Sequence, residues 1–88
     1  MPWRVRWEKQ ALKDAKRLSV ADRDRIARFL QERVVLLENP RDLGEALAGR
    51  WSGYWKYRVG DYRVIAAIED QIVTITIIKV GNRREVYR

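Results

Sequence analysis

Two runs of alternating apolar and polar residues flank the dipeptide Gly60-Asp61, and a two-residue turn at that point leaves the neighbouring chain little freedom. Such a turn pairs Val59 with Tyr62, Arg58 with Arg63, Tyr57 with Val64 and Lys56 with Ile65. Side chains alternate between the two faces of a strand. One face of this hairpin therefore carries Trp55, Tyr57, Val59, Tyr62, Val64, Ala66 and Ile68, an apolar set suited to a cover of helices. The other carries Tyr54, Lys56, Arg58, Arg63, Ile65 and Ala67. A slip of one residue would exchange the two sets, so the register is strongly specified.

The cover lies upstream. Trp3 to Trp7 alternate as a short strand, and from Glu8 the period changes to that of a helix, with Ala11, Leu12, Ala15 and Leu18 recurring on one side. Ser19 with Asp22 three residues on is close to a capping box and starts a second helix. Its stripe is Ile26, Phe29, Leu30, Val34 and Leu37, and Asn39-Pro40 ends it. Residues 41–53 contain three glycines and read mostly as a loop, with Leu43 and Leu47 as anchors. Strands are expected at 54–59, 62–68 and 72–80, followed by a polar tail from Asn82. The order β-α-α-β-β-β predicts an α+β fold, a helical hairpin packed on a mainly antiparallel four-stranded sheet, as a single domain over residues 1–88.

Composition narrows the chemistry. The chain has neither Cys nor His, which removes thiol nucleophiles, His-based triads and the commonest zinc ligands. No acidic pair is spaced for glycosidase or metal work, and Glu85 and Asp61 read as surface and turn residues. Nothing at the N-terminus resembles a signal peptide, and the apolar runs are too short for a membrane span, so a cytoplasmic protein is expected. The 19 Lys and Arg against 12 Asp and Glu give a net charge of +7, which points to nucleic acid or an acidic protein as partner.

Lys56, Arg58 and Arg63 share one hairpin face, with the two arginines directly opposite. Like charges in that relation destabilise a sheet. A bound phosphate would relieve the repulsion, and paired guanidinium groups match its oxygens; a solvated face whose charges splay apart is the alternative. The tail adds Arg83, Arg84 and Arg88 with Tyr87, a mixture of cation and ring suited to RNA, or else a frayed terminus. Trp3, Trp7, Trp51 and Trp55 read as core or partner-facing residues.

The run from Trp51 to Ile65, Trp-Ser-Gly-Tyr-Trp-Lys-Tyr-Arg-Val-Gly-Asp-Tyr-Arg-Val-Ile, and the ending Lys79-Val80-Gly81-Asn82-Arg83-Arg84-Glu85-Val86-Tyr87 resemble the RelE/ParE superfamily of toxins from bacterial toxin–antitoxin pairs, nearest to RelE. The resemblance extends over the whole chain. It implies a RelE-like fold, a cognate RelB-like antitoxin as partner, and a ribosome-dependent endoribonuclease that cuts mRNA in the A site. There the attacking group is the substrate's own 2′-hydroxyl, so no cofactor or metal is implied. By motif, Lys56 falls on the family's catalytic strand lysine and Arg58 on the neighbouring basic position. Arg63 matches the arginine that stabilises the transition state, Arg83 the tail arginine at the leaving group, and Tyr87 the tyrosine that orients the base. Asn82 stands where many relatives carry His, which removes a His acid; arginine is a poor proton donor, so Arg83 fits a charge stabiliser better. The same superfamily implies a second reading, a ParE-like inhibitor of DNA gyrase without ribonuclease activity. A nucleic-acid-binding module without catalysis is a third.

Overall fold

The computed structural model describes residues 2–87. Strand β1 (Arg4–Trp7) leads into helix α1 (Lys9–Lys16) and helix α2 (Val20–Phe29), and the last turn of α2 continues as one π-helical turn over Leu30–Val34. Then follow β2 (Glu45–Ala46), β3 (Trp55–Val59), β4 (Tyr62–Glu69) and β5 (Thr74–Asn82). The strand order is β1-β5-β4-β3-β2, with β1 parallel to β5 and every other pair antiparallel.

Two helices on a mainly antiparallel sheet is the architecture expected, but the sheet has five strands rather than four. The additional strand is Glu45–Ala46, inside the segment read as a loop. Two residues are too short to carry a periodic signal, and pairing with Trp55 and Lys56 is what makes them a strand. The Ser19 hydroxyl accepts from the amide of Asp22 as the capping pattern requires, and Asn39 caps the short 3-10 turn Pro40–Leu43 in the same manner. The last strand starts two residues later than its apolar run suggests. Asp70–Ile72 is a 3-10 turn, and Val73 adopts a left-handed backbone (φ 49°, ψ 48°) before β5 begins.

The hairpin register is the one the Gly60-Asp61 turn dictates, from Val59 opposite Tyr62 to Trp55 opposite Ala66. Gly60 takes the positive φ of 60° that such a turn needs at its first central position. Tyr57, Val59, Val64 and Ala66 join Ile26, Leu30, Val34, Ile75 and Ile77 in the core between helices and sheet. α1 packs on β5 and α2 on β3. Each large aliphatic side chain so buried contributes about 1.5–3 kcal/mol.

β5 changes face partway. Ile65 pairs with Lys79 and Ala66 with Ile77, so Ile78 is an extra residue, a bulge. The bulge lets Ile77 and Val80, three apart, both enter the core. It also turns Lys79 and Gly81 to the face opposite the helices. Beyond Ile77, β1 no longer flanks β5. There the buried Asp14 carboxylate substitutes for a strand, accepting from the Val80 amide at 3.0 Å and from Gln10 at 2.9 Å.

Candidate functional site

The sheet face away from the helices is basic because the register makes it so. Lys56 pairs with Ile65 and Ile65 with Lys79; Arg58 pairs with Arg63 and Arg63 with Gly81. On the far edge Arg4 and Arg6 pair with Thr74 and Thr76, on the same side. Against these cations the face sets the carboxylates of Glu69 and Glu45 among the described residues. Glu69 accepts from the Thr76 hydroxyl at 2.8 Å, and Glu45 lies opposite Lys56.

Arg58 and Arg63 occupy the first non-hydrogen-bonded pair of the hairpin, where Cα atoms stand about 4.5 Å apart and side chains approach most closely. The chain resolves the conflict by turning one arginine aside. Arg63 is only 9% exposed, and its Nη1 donates to the carbonyls of Gly60 (3.0 Å) and Tyr62 (2.9 Å), pinning the turn. Arg58 stays in solvent. The two arginines are therefore not equally open, because the turn carbonyls hold Arg63. Nζ of Lys56 is 3.5 Å from Oε2 of Glu45, a loose and partly exposed pair worth at most about 1 kcal/mol.

The tail is not frayed over its described residues. The Asn82 side chain accepts from the amide of Arg84, and its carbonyl accepts from those of Glu85 and Val86, closing one compact turn. Val86 is buried against Gly81, where an added Cβ would lie 3.3 Å from Cα and Cβ of Val86. The amide of Arg83 donates to Asp61 at 2.9 Å, which places this exposed arginine at the turn end of the hairpin. The Tyr87 carbonyl accepts from the Arg50 guanidinium, holding Tyr87 beside the 3-10 turn Gly49–Trp51. Arg88 lies outside the described residues.

Thus Lys56, Arg58 and Arg63 share a face, Arg83 sits at its turn end, and Tyr87 is held by Arg50. Sequence reasoning missed Lys79, Glu45 and the Arg50-Trp51 pair as members of this surface. Lys79 turns outward only because of the bulge at Ile78, for which the unbroken apolar run gives no signal. Glu45 belongs to a two-residue strand and Arg50 to a short 3-10 turn, with no such signal either.

Beneath the basic face, Tyr57 is fully buried and donates to the Pro40 carbonyl at 2.7 Å. Burial pushes its hydroxyl up to about 12. The Tyr62 hydroxyl is also raised, chiefly by its hydrogen bond to Asp22. Among the described residues no three acidic side chains converge to hold a metal ion, and no helix is long and apolar enough to cross a membrane.

A family model described as the ParE toxin of the type II toxin–antitoxin system parDE matches residues 5–87. The chain is 36% identical over 89 residues to toxin RelE of Mycobacterium tuberculosis, covering 99% of this chain and 88% of that protein. Toxin RelG of the same organism is 28% identical over 88 residues, covering 100% and 99%. The fold superposes on a RelBE toxin–antitoxin complex from M. tuberculosis with a TM-score of 0.85 at 25% identity, over 94% of this chain and all of that one. An archaeal RelE–RelB complex from Pyrococcus horikoshii gives 0.72 at 27% identity, over 98% and 100%. A sheet with an unbalanced cationic face, the folded-back tail and these likenesses agree, and the chain belongs to the ParE toxin family of type II toxin–antitoxin systems, within the RelE/ParE superfamily.

Proposed function

We propose that this chain is a ribosome-dependent mRNA endoribonuclease of the RelE kind, cutting in the ribosomal A site without a metal or cofactor. The observation that carries this reading is the opposed pair Arg58 and Arg63 with Lys56 one step along the same face. A binding protein gains nothing from that repulsion, whereas a phosphate whose charge grows in the transition state is stabilised by it. In this reading Lys56 takes the proton from the substrate 2′-hydroxyl, whose oxygen bonds to phosphorus as the bond to the 5′-oxygen breaks. Arg63 and Arg58 hold the non-bridging oxygens, Arg83 stabilises the leaving oxygen, and Tyr87 orients the base. Residues 1–88 act as a single domain in the cytoplasm. A small antitoxin with an acidic segment masks the face, as the +7 charge favours; the RelE–RelB complexes above support this partner.

Primer extension on mRNA in a reconstituted translation system tests the reading. Wild type should cut ribosome-bound mRNA and leave naked RNA largely intact. Arg58→Ala should lose roughly 10²–10³ in rate while ribosome binding largely survives. Absence of cutting by wild type refutes the proposal. The match to a ParE family model favours one other reading, gyrase inhibition, and a supercoiling assay with purified gyrase decides it.

A further inference from the structure

A second feature adjoins the basic face and is used by none of the roles above. Arg50, Trp51, Tyr54 and Lys79 line a cleft of about 440 Å³, within the roughly 300–1,000 Å³ typical of ligand pockets. Trp51 and Tyr54 meet edge to face at 5.7 Å. Two cations converge on the same indole: Cζ of Arg50 lies 5.8 Å and Nζ of Lys79 5.9 Å from the ring centroid. Each is attracted to the ring, so two cationic side chains gather at one aromatic platform. The Trp51 indole N–H is buried and has no acceptor among the described residues, and such an orphan donor calls for a ligand or a rearrangement. Lys79 connects the cleft to the site, since it pairs with Ile65, which pairs with Lys56.

We propose that this cleft is a nucleotide subsite for single-stranded RNA, resting on the ribonuclease reading of the adjoining face. Arg50 and Lys79 contact the phosphate of a nucleotide flanking the cut, and its base packs on the Trp51–Tyr54 pair. The Trp51 indole N–H gains an acceptor on that nucleotide. Trp51 is then a specificity-determining residue: it chooses among bases and leaves the chemical step to Lys56, Arg58 and Arg63.

The test titrates 15N-labelled protein with a short 2′-O-methyl oligoribonucleotide, which cannot be cut, and follows the indole N–H signal assigned through Trp51→Phe. The Trp51 signal should shift saturably. Trp51→Ala should bind roughly 5- to 150-fold more weakly, and Lys79→Ala should reduce the salt slope by about one phosphate contact. An unmoved Trp51 signal at saturating oligonucleotide, or Trp51→Ala binding as wild type does, overturns the subsite whether or not the protein cuts mRNA. Codon-resolved cleavage on ribosomes supplies the second readout. Trp51→Ala should keep cutting with an altered base preference around the cut, and an unchanged preference also overturns the subsite. Failure of wild type to cut overturns the ribonuclease reading instead, and the titration alone then decides whether the cleft binds RNA.

Discussion

Replacing Tyr57 by Phe probes how the core supports the basic face, and its effect fades at high pH. Tyr57 is 0% exposed, its ring meets Phe29 edge to face at 6.1 Å, and its hydroxyl donates to Pro40 O. That bond fastens the segment leading to Gly44 and Glu45, and a Cβ at Gly44 would stand 3.2 Å from the Tyr57 ring. Near neutrality Tyr57→Phe leaves the ring packing intact but orphans the Pro40 carbonyl, at a cost of about 1–3 kcal/mol. For a domain of this size that lowers Tm by about 4–20 °C. At high pH the effect fades. The hydroxyl ionises near 10.0 when unfolded and at about 12 when folded. Its contribution is therefore fully present below pH 10 and lost as pH rises to 12. Ionisation over that range removes about 3 kcal/mol of stability. Urea unfolding followed by circular dichroism at pH 7, 9, 10, 11 and 12 should show wild type more stable at pH 7 and the difference closing by pH 12. Tyr62 is raised in the same direction, so the comparison is repeated in a Tyr62→Phe background. A difference that stays constant from pH 9 to 12, or is absent at pH 7, refutes the argument.

Val73→Gly should raise stability by about 1 kcal/mol, since a β-branched residue at φ 49° carries left-handed strain that glycine lacks; urea midpoints measure it. Asp14→Ala should cost about 1–3 kcal/mol and accelerate hydrogen exchange at the Val80 amide far more than at Val64, because the Val80 amide loses its acceptor. Gly81→Ala should drive the added methyl against the Val86 backbone and displace the tail turn, seen as faster proteolysis after Arg83 or Arg84 and a fall in mRNA cleavage with little change in Tm.

What could be read beforehand follows the physics of each element. The hairpin was legible because Gly60-Asp61 and two alternating strands allow one register, and that register places Lys56, Arg58 and Arg63 together without any knowledge of the rest. The second helix was legible through Ser19 and a stripe of five apolar residues. Glu45–Ala46 was not, since a two-residue strand exists only through its partner. The bulge at Ile78 was hidden by an unbroken apolar run, in which alternation cannot be seen, and with it went the outward turn of Lys79. The commitment of Arg63 to two turn carbonyls was also beyond sequence. It depends on where a flexible side chain finds acceptors, which the pattern of types does not encode.

That commitment bears on how the site would work. A guanidinium carries five N–H donors, and the turn engages one nitrogen of Arg63. Its plane is thus held by the fold before any phosphate arrives, so the ordering cost is met in folding rather than in binding. Arg58, in solvent, has to be ordered by the ligand itself. On the ribonuclease reading the two opposed arginines are therefore unequal: one is held in place by the fold, the other is ordered by the ligand. Turning Arg63 aside lessens the repulsion between them without removing it, since the register keeps the two residues directly opposite. A dianionic phosphorus centre relieves more of it than a monoanionic phosphodiester does, because attraction scales with the charge placed between the cations. That difference favours the transition state over the ground state, which is what a site without histidine, cysteine or a metal cluster requires.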